Sequence, residues 1–121
     1  MWENVTVIVS SEFGRTLTSN GKGTDHGWGG HNWLMGGAVN GGRIVGRYPD
    51  SLAADHELDA GRGRVIPTTS WEAVWHAVAQ WMGVEQPDVA AILPNLPNFV
   101  ECDASETGCR VFTRDDLFKA E

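Results

Sequence analysis

The sequence predicts an α/β fold, a mostly parallel sheet with flanking helices and a long glycine-rich loop, and three observations carry that prediction. Val5 to Val9 is β-branched throughout and apolar at almost every position, as in a strand covered on both faces of a parallel sheet. From Thr16 to Gly30 no period of 2 or 3.6 appears, which reads as a loop too long for a plain connection. After Pro67, apolar residues recur at helical spacing.

Taken in order, the first strand ends in Ser10, Ser11, Glu12, Phe13, Gly14 and Arg15. Polar residues at the carboxyl end of a buried parallel strand lie where open α/β sheets hold ligands, so this segment is a site candidate. Eleven of the fifteen glycines fall between Gly14 and Gly46, which indicates close backbone approach or positive φ in that stretch. Asn32 to Met35 and Arg43 to Val45 read as two short strands separated by glycine pairs. A helix is expected over 70–82: Thr69 and Glu72 have capping-box spacing, Trp71, Val74, Trp75, Val78 and Met82 form the apolar stripe, and Gly83 supplies the stop. A shorter helix is expected over 87–92 between Pro87 and Pro94, and one more turn near Arg114 to Phe118.

Nine Lys and Arg against sixteen Asp and Glu give a net charge of −7. That balance, without a basic cluster, argues against nucleic-acid binding. The longest apolar run is far below the ~18–20 residues of a membrane span, and no signal-like segment precedes it. Cys102 and Cys109 flank a short polar loop; a small disulfide and two free thiols are both compatible with that spacing.

Thr24-Asp25-His26-Gly27, with His31 nearby, is the sharpest local feature. A carboxylate and an imidazole in a glycine-rich loop can turn toward one divalent cation, Zn, Mg, Mn or Ca. The plainer alternative is an Asp that caps a turn beside an exposed His. Glu12 and Arg15 follow the first strand and would face the same crevice, the composition of a metal-assisted phosphate or sulfate site. A structural ion pair between them is the competing reading. His56 and His76 read as loop and helix residues without a ligand role, and Trp71 and Trp75 as core; Trp28 and Trp33 stand beside the histidines.

The succession Val7-Ile-Val-Ser-Ser-Glu-Phe-Gly-Arg-Thr16, then Gly23-Thr-Asp-His-Gly27, then Met35-Gly-Gly-Ala-Val-Asn-Gly-Gly-Arg-Ile-Val-Gly46 resembles the bacterial family known as domain of unknown function 1501. The similarity continues through Gly61 to Ser70 and Pro94 to Phe99, so that 1–99 is read as the C-terminal part of an alkaline-phosphatase-like domain and 100–121 as a tail without an assigned role. The resemblance implies a sulfatase-like or phosphatase-like sheet carrying one or two divalent cations. Asp25 and His26 would be metal ligands, with His31 completing or supporting the site and Glu12 and Arg15 beside the reacting ester. Phe13 stands where relatives often have a ligand histidine. Such enzymes carry their nucleophile in an N-terminal half that this stretch does not contain, so a missing N-terminal part of the same protein is an implied partner and the chain alone is expected to be inactive. A small anionic ester is the implied substrate, and a periplasmic or extracellular location is implied as well. A secreted binding or scaffold protein that keeps the fold is the alternative. Strand 5–9 expects neighbours on both sides, so the isolated chain is expected to aggregate or to depend on a partner.

Overall fold

Ile8 on the first strand and Leu34 on the fourth pack on the same buried cluster, and this shared contact organises the β part of the molecule. The computed structural model describes residues 1–100 and 111–120. After a 3-10 turn at Trp2–Asn4, the chain forms β1 (Thr6–Val9), β2 (Gly14–Ser19), β3 (Thr24–Gly27) and β4 (Trp33–Gly36). Helices α1 (Trp71–Trp81), α2 (Gln86–Ile92), α3 (Pro97–Val100) and α4 (Arg114–Leu117) follow. No helix among the described residues is long and apolar enough to cross a membrane.

The expected mostly parallel, alkaline-phosphatase-like sheet is not present. Among the described residues there are two separate two-stranded sheets, β1 with β4 and β2 with β3, and both are antiparallel. The reason lies between the strands. A parallel pair needs a crossover of a dozen or more residues, usually a helix, whereas the chain from Ser10 to Asn32 holds the β2–β3 hairpin and no helix. β-Branched composition also does not distinguish a strand covered on both faces from one covered on a single face. In β1, Thr6 and Ile8 are half-buried, while Val7 and Val9 are exposed.

The hairpin occupies what reads as an irregular loop in the sequence. Its turn is built by Asn20, whose side-chain oxygen accepts from the Lys22 N–H at 2.9 Å while its own N–H donates to the Gly23 carbonyl at 2.9 Å. An Asn-Gly pair is a hairpin signal, but the strands around it slip register between Arg15 and Ser19, which hides the period of two. The strand expected over Arg43 to Val45 is irregular backbone, turned by Gly42 and Gly46 at φ of 75° and 90°.

The helical expectations fare better, with a rotation. Ser70, not Thr69, caps α1, its hydroxyl accepting from the Ala73 N–H at 3.1 Å. The face turned inward is Ala73, His76, Ala77 and Val78, with Val74, Trp75 and Trp81 along its border; Trp71 and Met82 are exposed. Small alanines at the centre let Phe112, Leu117 and Phe118 approach the helix axis closely. Gly83 ends α1 at φ 85°. Segment 111–118 thus supplies much of the core, and α4 is fixed by a capping box between Thr113 and Asp116. The cysteine pair lies outside the described residues.

The outer face of the β1–β4 sheet is apolar and uncovered. Val7 faces Met35 and Val9 faces Trp33 in register, and Trp33 and Val9 are 63% and 52% exposed. Contiguous apolar surface of this kind drives association. The double substitution Val9→Thr and Met35→Thr is expected to raise the monomer fraction in sedimentation velocity and to lower ANS fluorescence at unchanged helix content. An unchanged distribution of species would place the association elsewhere.

Candidate functional site

The β2–β3 hairpin is held by the loop that precedes α1. The Leu17 N–H donates to the Gly63 carbonyl at 2.8 Å, and the Gly29 N–H donates to the Val65 carbonyl at 2.7 Å. The loop is stapled from within by Asp59, whose Oδ1 accepts from the N–H groups of Gly61 and Gly63 at 2.8 and 3.0 Å. Carboxylate acceptance of two backbone N–H groups in one turn satisfies donors that the irregular backbone would otherwise leave open.

On this frame the sequence-predicted residues separate into two groups. Successive residues of a strand point to opposite faces, so Asp25 and His26, neighbours on β3, diverge. One oxygen of Asp25 accepts from the Asn20 side-chain amide at 2.7 Å, and the other accepts from the Arg62 guanidinium at 3.1 Å. His26 stands opposite Arg15 in the hairpin register and stacks on the Phe13 ring, with centroids 3.9 Å apart and planes 19° apart. Phe13 therefore holds the imidazole in place. Among the described residues no group of three His, Cys, Asp or Glu side chains converges as a cation site would require.

Arg15 and His31 do come together. Both line a cleft of about 400 Å³ bounded by Phe13, Leu17, Arg47, Tyr48, Leu52 and Pro67, with Gly29 and Gly30 among its backbone walls. Arg15 reaches across the hairpin so that Nη1 donates to the Thr24 carbonyl at 2.8 Å, and its guanidinium carbon lies 5.3 Å from the Phe13 centroid. It forms no ion pair among the described residues, so the structural pairing with Glu12 is not made. Glu12 is exposed, accepts from the Ser11 hydroxyl at 3.5 Å and does not line the cleft.

Arg47, Tyr48 and Leu52 are the cleft residues that sequence reading passes over. Arg47 is paired with Glu57 and lies 3.9 Å from Asp50, and its carbonyl accepts from the Thr68 hydroxyl at 2.6 Å, which ties the 47–52 loop to the segment before α1. Their only sequence signal is an Arg-Tyr-Pro run in a polar stretch, and loop closure over 21 residues has no local pattern. His76, off the apolar stripe read in the sequence, lies on the inward face of α1, and His56 stands in a loop. His76 is buried, with Nδ1 2.8 Å from the Phe112 carbonyl and Nε2 3.3 Å from the Gln86 amide, and His56 accepts from the Leu58 N–H at 3.2 Å within its own turn.

No curated protein and no solved structure matches the chain. The stretches from Gly61 to Ser70 and from Pro94 to Phe99 that add to the family resemblance lie beyond the part matched by a family model. Within that part stand Arg15, Asp25, His26 and His31 together with the β2–β3 hairpin and the 47–52 loop: residues 1–60 match the model described as "Protein of unknown function (DUF1501)".

Proposed function

We propose that the chain binds small anionic esters, of the phosphate or sulfate kind, at the cleft headed by Arg15, as an exported protein of the periplasm or the cell exterior. The observation that carries the reading is an arginine with no carboxylate partner among the described residues, lining a largely apolar cleft, in a chain whose net charge is −7. A guanidinium offers forked N–H donors that match the geometry of a phosphate or sulfate group. Among the described residues one of those donors is committed, to the Thr24 carbonyl. His31 lines the same cleft and carries a ring N–H donor. The metal-dependent hydrolase that the family resemblance implies needs Asp25 and His26 to converge with a further donor, and it finds no support in side chains that leave opposite faces of β3.

Isothermal titration with inorganic phosphate and sulfate at low ionic strength tests the reading. Arg15→Ala is expected to weaken binding about tenfold or more, because a charge-assisted hydrogen bond contributes about 1.5–3 kcal/mol. Asp25→Ala is expected to leave anion affinity unchanged and to cost at most about 1 kcal/mol of stability, the range of exposed ion pairs. Equal affinity in wild type and Arg15→Ala would end the proposal. Divalent-metal content, measured in parallel, is expected to be the same in wild type and Asp25→Ala. A loss of bound metal in that variant would restore the hydrolase reading.

A further inference from the structure

We infer that the cleft takes monoanionic or dianionic head groups that carry an aromatic body, and that Tyr48 and Leu52 select for that body. The inference rests on the anion-binding reading of the same cleft. Charge identifies only the head group; the rest of the cleft identifies what is attached to it. Besides Arg15, His31 and the paired Arg47, the cleft is lined by Tyr48, Leu52, Leu17 and Pro67, none of them charged. Tyr48 and Leu52 are 53% and 46% exposed although they line a concavity. Apolar side chains left uncovered beside a cationic head are what an amphiphilic anion covers when it binds. A volume of about 400 Å³ exceeds what an inorganic phosphate or sulfate fills, and it falls in the range of about 300–1,000 Å³ typical of small-molecule pockets. The loop that carries Tyr48 and Leu52 is anchored at Arg47, through Thr68 on one side and Glu57 on the other, so its apolar wall is fixed relative to Arg15 before any ligand arrives. The Tyr48 ring is flat, and an aromatic ring meets it over a larger area than a branched aliphatic group of equal size.

Phenylphosphonate and methylphosphonate carry the same head group on different bodies, and neither is an ester that water can cleave. Titration of the full chain is expected to give phenylphosphonate an affinity about tenfold or more above that of methylphosphonate, the discrimination an apolar pocket achieves for a group of this size. Tyr48→Ala and Leu52→Ala, both at exposed positions whose truncation leaves the core intact, are expected to bring phenylphosphonate down to the level of methylphosphonate and to leave methylphosphonate unchanged. Arg15→Ala is expected to weaken both. Equal affinity of the two phosphonates for the wild-type chain would overturn the aromatic selection while the anion site stands. Failure of both to bind would remove the anion site and this inference with it.

Discussion

Phe118→Ala is expected to lower the unfolding free energy by about 3–5 kcal/mol, the range for truncating a fully buried phenylalanine. Phe118 is 1% exposed and lies flat on Trp81, with ring centroids 4.9 Å apart and planes 5° apart. Below it, Ala73 and Ala77 have no side-chain length with which to refill the space. A cavity there would persist, and its cost scales with the volume left behind. Domains of this size are stable by about 5–15 kcal/mol in total, so the loss approaches the whole margin. Urea unfolding followed by tryptophan fluorescence measures it, since Trp81 reports on the ring it stacks against. Phe118→Leu retains most of the volume and is expected to lose clearly less; equal losses in the two variants would mean that the site collapses freely and that the packing described for α1 and α4 is not what holds them together.

Phe118 also shows which parts of the fold local sequence can reveal. The turn at 114–118 and the helices over 70–82 and 87–92 are readable because a cap, a period and a stop lie within a dozen residues of each other. Even so, the stripe of large apolar residues on α1 marks the border of the buried face, whereas its centre is alanine. That inversion follows from the partner: two phenylalanines from a segment some forty residues later fill the volume. Partnership of strands is less local still. The residues of β1 show that it is extended and apolar, and nothing in them states that its neighbour is β4 in antiparallel register. For the candidate site, Arg15 is recognisable by its position after a strand, and His31 by its place beside the Asp25-His26 pair. The separation of Asp25 from His26 follows from strand alternation, which became visible only once the hairpin was known, and the contribution of Arg47, Tyr48 and Leu52 comes from a loop that closes on the cleft through Thr68.

The glycine-rich stretch joins fold and site, and Gly14→Ala is the substitution expected to disturb both. A Cβ at Gly14 would lie 1.9 Å from the Gly29 carbonyl oxygen, and its next contacts are also backbone, at Gly29 and Trp28. No side chain is available to swing aside. The two segments are already joined there by the hydrogen bond from the Gly14 N–H to the Trp28 carbonyl at 3.3 Å. Relief therefore requires the start of β2 to part from residues 28–30, at a cost of about 1–3 kcal/mol or more. Arg15 is the next residue, and Gly29, Gly30 and His31 line the same cleft, so the same displacement moves Arg15 relative to His31. Gly14→Ala is expected to lower the midpoint of thermal unfolding and, at a temperature where it remains folded, to weaken phosphate binding. Gly41→Ala is the control: a Cβ there meets nothing within 4 Å, φ is not positive, and the change is expected to stay within about 0.5 kcal/mol. Composition treats the two glycines alike. If they responded alike in the melt, the close approach of β2 to residues 28–30 would not exist in solution, and the cleft built upon it would lose its frame.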